Sequence, residues 1–202
     1  MKKSLLAIVC AVALTACKKN ETTTNEMSTD SLEMNMPADT AMIQDSMAVS
    51  GDTTQSGTLN DQDRTFAMEA AKSGMMEVMH GQLAATNGNN AKVKSFGEMM
   101  VRDHTKANDE LKSLATAAGL TLPTTPDASQ QRMHDDMKAK TGADFDRAFA
   151  EMMVSDHQKA VDLFKKQASQ GSDAALKQFA EKTLPTLEQH LTQSKELREA
   201  VK

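Results

Sequence analysis

From position 61 onward, apolar residues recur at alternating spacings of three and four, and turn residues cut that rhythm into lengths. The first length predicts a helix over about Asp61–Thr86, closed by Asn87-Gly88-Asn89. The second predicts one over about Ala91–Ala118, in which Val93, Gly97, Met100, His104, Leu111 and Ala118 fall on one face; it stops at Gly119, with Pro123 and Pro126 beyond. Asp127, followed three residues later by Gln130, predicts a capped short helix reaching about Lys140. After Gly142 the rhythm resumes over Ala143–Gln170, closed by Gly171, and again over Asp173–Val201. Pro185 lies inside that last helix, removing one backbone hydrogen bond and predicting a kink. Helices of this length are ~40 Å long at 1.5 Å per residue, and mostly short loops join them. The prediction is an all-α, up-down four-helix bundle with a short extra helix before the third long one.

The chain before Asp61 follows other rules. In MKKSLLAIVCAVALTAC, two lysines precede a short apolar run that ends in small residues, the layout of a secretory signal. The run is too short to span a bilayer stably. Leu14-Thr15-Ala16-Cys17 resembles a bacterial lipobox, which implies cleavage after residue 16 and lipid on Cys17. Residues 17–60 are rich in Ser, Thr, Asp and Met and short of large aliphatic side chains, so they read as a disordered tether. The expected organisation is a signal over 1–16, a lipidated tether over 17–60 and a bundle domain over 61–202. The membrane is then a partner through Cys17, and the expected address is the cell envelope, on the outer membrane facing the periplasm, with an envelope protein as a candidate partner.

Composition narrows the chemistry. The chain carries 23 basic and 28 acidic residues, a net charge of −5 that falls to −7 once Lys2 and Lys3 leave with the signal. Nothing basic enough to hold nucleic acid remains. Cys10 leaves with the signal and Cys17 is taken by lipid, so neither a disulfide nor a thiolate metal site is expected. There is no Trp or Tyr, whereas Met is abundant at 16 copies. No Gly-rich phosphate loop, Gly-x-Ser-x-Gly elbow or Cys-x-x-Cys pair occurs. No catalytic residue is assigned, and an enzyme is the less favoured class.

Two helices repeat one another. EMMVRDHTKANDELKSLA (Glu98–Ala115) and EMMVSDHQKAVDLFKKQA (Glu151–Ala168) share eleven of eighteen positions without a gap. Both carry an Asp-His pair. His104 and His157 lie on the apolar stripes of their helices, so both imidazoles are expected to point inward, with Asp103 and Asp156 flanking them. On the first helix, Glu77 sits between Gly74 and Gly81 on a face of small residues, where another backbone can approach closely. Glu77-Val78-Met79-His80 also has the Glu-x-x-His spacing of di-iron bundles, and the last helix offers Glu188 and His190.

These segments, with FAMEAAKSGMMEV at the start and LKQFAEKTLPTLEQHL near the end, resemble the ferritin-like domain-of-unknown-function family forty-one forty-two. The resemblance implies a ferritin-like bundle in the cell envelope and carries little about activity. The third long helix also resembles a second ferritin-like group, with paired histidines in a Met-rich helix and links to copper; Asp156 stands where the first of those histidines would be. The candidate metal ligands are Glu77, His104 and His157, then Asp103, Asp156 and His190, and the candidate cofactor is iron, zinc or copper. Three readings stay open. The first is metal or stress handling in the periplasm through the bundle core. The second is a non-catalytic scaffold whose histidines only pack. The third is Cu(I) sequestration by Met–His pairs one turn apart, such as Met76 with His80, or in the cluster Met133, His134 and Met137. A di-iron redox enzyme ranks last, because only one Glu-x-x-His occurs.

Overall fold

A computed structural model describes residues 59–202; the predicted signal, Cys17 and the predicted tether up to residue 58 lie outside the described residues. Five helices follow: α1 (Asp61–Asn87), α2 (Ala91–Ala117), α3 (Ala128–Lys138), α4 (Gly142–Gln170) and α5 (Ala174–Ala200). None is long and apolar enough to cross a membrane.

Local chemistry sets the ends. The side chains of Asn60, Asn90 and Asp173 accept backbone N–H groups at the starts of α1, α2 and α5. Asp127 and Gln130 form a reciprocal cap on α3. At the end of α2, Gly119 takes φ 71°, which glycine adopts without a Cβ clash. There Leu120 N–H donates to Ala115 O (2.8 Å) and Gly119 N–H to Thr116 O (3.1 Å), closing the orphan carbonyls. The folded domain starts slightly before the expected boundary: Leu59, assigned to the tether from sequence, is buried in the core and Asn60 caps α1.

The helix directions follow from side-chain pairs. Asp63 meets Gln167, and Phe66 meets Phe164, while Asp146 meets the backbone after α1, so α1 and α4 are antiparallel. Asp103 meets His190 and Glu110 meets Lys182, so α2 and α5 are antiparallel as well. The four long helices therefore run up, down, down, up. The short helix makes this order possible. Gln130 reaches Lys72, His134 lies beside His80, and Asn87 reaches Lys138, so α3 climbs along α1 and carries the chain back to the top before α4 descends. The result is a helical bundle with one long crossover.

Two apolar clusters fill the interior. One contains Phe66, Leu111, Phe164, Phe179 and Leu187, the other Val93, Phe96, Met100, Phe149 and Met153. They do not merge. On every long helix a buried polar side chain separates them: Glu77 on α1, His104 on α2, His157 on α4 and His190 on α5. Burying four polar groups in one layer costs free energy unless each is partnered, so the layer calls for an explanation beyond packing.

Small residues bring α1 and α2 together beside that layer. A Cβ on Gly97 would lie 2.5 Å from Ala84 Cβ and 2.7 Å from the carbonyl oxygen of Gly81. Alanine gains up to ~1 kcal/mol of helix propensity over glycine, but a backbone oxygen cannot rotate away, so the clash prevails. Gly97→Ala is expected to destabilise the fold by about 1–3 kcal/mol, read as a fall of several degrees in Tm by circular dichroism. An unchanged or raised Tm would contradict this packing.

Candidate metal centre

The polar layer draws one side chain from each long helix, and helical spacing puts them at one level. On α2 and α4 the histidines stand four residues after buried Met100 and Met153, so both point to the interior. The imidazole centroids lie 5.6 Å apart for His104–His157, 5.4 Å for His104–His190 and 5.3 Å for His157–His190. Each ring offers one ligand atom, and these atoms all lie within 4.8 Å of one another. All three residues are buried, as is Glu77.

The outer partners fix which nitrogen carries a proton. His104 Nδ1–H donates to Glu77 Oε2 at 2.9 Å. His157 Nδ1–H donates to the Met153 carbonyl at 2.9 Å. His190 Nε2–H donates to Asp103 Oδ2 at 3.1 Å, and Arg102 in turn binds the Asp103 carboxylate. A neutral imidazole has one N–H and one lone pair. The atoms left as lone pairs are therefore His104 Nε2, His157 Nε2 and His190 Nδ1, and all three are buried without a hydrogen-bond partner. Glu77 Oε1 is a fourth such atom, 3.6 Å from His157 Nε2. Histidines oriented by a carboxylate or a carbonyl, with the other nitrogen free, are the usual arrangement around a bound metal.

Electrostatics match. Burial resists ionisation of Glu77, yet the imidazoles of His104, His157 and His190 and the His104 hydrogen bond outweigh it and hold the carboxyl at about 2. Burial also pushes His104 down, but the Glu77 and Asp103 carboxylates raise it above its ordinary value. For His190, burial and the two other imidazoles prevail over Asp103 and lower it to about 4. The Glu77 carboxylate thus stays ionised, and His104, whose proton it favours, must give up a proton for an ion to bind at Nε2.

Of the residues singled out from sequence, Glu77, His104, His157 and His190 meet in the core, and Asp103 joins at the rim as the support of His190 rather than as a ligand. Asp156 does not join. Its carboxylate turns to Lys159 at 3.3 Å. The repeat explains why. Helices α2 and α4 run in the same direction at opposite corners, and α1 and α5 do likewise, so a half-turn about the bundle axis exchanges the pairs. Phe66 then corresponds to Phe179, and Glu77, eleven residues on, to His190. Where Asp103 faces His190, Asp156 faces Glu77, a like charge. Burial, together with the Glu77 charge, raises the Asp156 carboxyl despite Lys159. His80 is also outside the layer: although it completes Glu-x-x-His with Glu77, its ring lies against His134 on α3. Sequence reasoning missed that pairing, since nothing in the periodicity sets the register of α3 on α1.

A cavity of about 20 Å³ adjoins Glu77 and His104, room for roughly one water. Its other walls are mostly apolar, among them Ala70, Leu111, Phe164 and Leu187.

A family model described as Domain of unknown function (DUF4142) matches residues 48–197. No curated protein matches the chain. Similar solved structures include a DUF305 fragment from Deinococcus radiodurans, at 10% identity and TM-score 0.62, covering 71% of this chain and 99% of that one. They also include CopM in a Cu(I)-bound form, at 14% identity and TM-score 0.57, and in an Ag-bound form, at 16% and 0.57; each covers 68% of this chain and 96% of that one. At such identities the likeness is one of fold.

Proposed function

The chain belongs to the DUF4142 family, and from that premise we propose that its bundle binds one transition-metal ion between His104, His157, His190 and Glu77. One observation carries the reading. His157 Nε2 and Glu77 Oε1 face each other at 3.6 Å, both buried and both unpartnered. Each is an acceptor, so they repel unless a cation lies between them. A proton would pull them to an N–H···O distance of about 2.7–3.2 Å. A metal ion, bonded to both at ~2.0–2.2 Å, tolerates the wider gap.

Three imidazoles with one carboxylate form a borderline donor set, suited to Cu(II), Zn(II) or Fe(II) rather than to hard ions such as Mg²⁺ or Ca²⁺. Copper is the first choice, because CopM shares the fold and is known in copper-bound forms. With all four donor side chains buried, the role is to hold metal. We place that role in the cell envelope, with the chain tethered through lipid on Cys17.

Metal analysis and calorimetry of the purified chain are expected to give one Cu(II) or Zn(II) per chain. At a free metal concentration 1,000 times the Kd, the ion should stabilise the fold by about 4 kcal/mol. Substoichiometric metal with an unmoved Tm would end the reading and leave a bundle whose histidines only pack.

A further inference from the structure

A second pair of imidazoles lies outside the four-helix layer. His80 on α1 is fully buried, and neither of its ring nitrogens has a hydrogen-bond partner; buried Nδ1 of His134 on α3 has none either. A neutral imidazole so placed leaves a donor and an acceptor both unmet, which is costly in a buried site. The rings are nearly parallel, 19° apart, with centroids at 5.7 Å. That is close to the 5.3–5.6 Å separating the central imidazoles, whose ligand atoms lie within 4.8 Å of one another. The pair is therefore near enough to offer one nitrogen each to a shared ion.

The neighbourhood sets the kind of ion. Met76, buried, stands one turn before His80 on α1, and Met137, also buried, stands one turn after His134 on α3. Met133, next to His134, is 45% exposed. The sole carboxylate of the adjacent turn, Glu77, is already engaged with His104. Two imidazoles among thioethers make a soft, neutral donor set; zinc, which takes four ligands, and hard cations are poorly served by it. We infer that His80 and His134 form a second metal site, between α1 and α3, selective for a soft monovalent ion of the Cu(I) or Ag(I) class. It is independent of the central site.

Silver(I), which does not change oxidation state in air, is the probe. In the full chain with ¹⁵N-labelled histidine, the imidazole nitrogens of His80 and His134 are expected to shift together on addition of Ag(I) and to stay unmoved by equimolar Zn(II). His80→Leu/His134→Leu is expected to bind one Ag(I) equivalent fewer than the unmodified chain, with its helical circular dichroism intact. His157→Leu should keep the His80 and His134 response. Unmoved His80 and His134 signals under excess Ag(I), or equal movement under Zn(II), would overturn the proposal. Because the readout is residue by residue, failure here is distinct from failure at His104, His157 and His190.

Discussion

Glu77→Gln is expected to weaken metal binding at least 100-fold while leaving the metal-free fold almost untouched. The substitution keeps shape and one acceptor oxygen, so His104 Nδ1–H still has a partner. It also places an amide N–H₂ where Glu77 Oε1 now faces the lone pair of His157 Nε2 at 3.6 Å. Two acceptors in opposition become a donor and an acceptor, and a satisfied buried pair is worth about 1 kcal/mol. What disappears is the anion, and with it both a ligand and the charge that balances a buried cation. Loss of a supporting partner alone costs 10–100-fold in affinity, and loss of a ligand costs more. A purely structural role predicts the reverse. If Glu77 is there to pair with a protonated imidazole, removing its charge should cost about 3–5 kcal/mol, as breaking a buried ion pair does. Thermal melts and calorimetry on the same variant separate the two. A Tm lowered by ten degrees or more, with no metal uptake in the unmodified chain, would leave Glu77 as a packing residue.

Much of this arrangement was legible in the residues before any coordinates. The apolar rhythm placed each helix to within one or two positions, because long amphipathic helices repeat their signal over many turns. It also put His104 and His157 inside, since each stands on a stripe of residues that must be buried. The repeat showed that two helices present like faces, yet it also suggested that Asp103 and Asp156 are equivalent. They are not, because an aspartate's fate depends on what the opposite helix presents: His190 in one case, Glu77 in the other. Helix α3 was legible as a helix but not as a neighbour. Only Met137 of its side chains is well buried, and Gln130, Asn87 and the two histidines fix its place by contacts distant in sequence. The His80–His134 pair was thus hidden for the same reason that the helix order was: periodicity reports which face is buried, not which element buries it.

Acid should loosen the metal-free protein well above the range where carboxylates titrate. Burial and the neighbouring His134 hold His80 at about 4, against the pull of Glu77, and burial with His104 and His157 holds His190 at about 4, against Asp103. Both values lie below the ordinary 6.5, so the folded state favours the neutral ring. In the unfolded chain each ring binds a proton as pH falls through 6.5, whereas the folded chain resists until about 4. Stability from these two groups is therefore full above pH 6.5 and is lost progressively between 6.5 and 4. Two shifts of this size amount to roughly 3–5 kcal/mol at pH 4.5. His104 works in the opposite sense: its raised value adds stability that is present at low pH and fades as pH rises through its folded value. Glu77, held at about 2, contributes its loss only below about 4.5. The net expectation, with a chelator present, is a Tm about 10 °C lower at pH 4.5 than at pH 7. A flat profile over that interval would mean that burial does not hold His80 and His190 below their ordinary value. His80→Leu should remove about half of the slope. Occupying the central site with Cu(II) should keep the His190 ring unprotonated in the fold, so its share of the slope persists alongside that of His80.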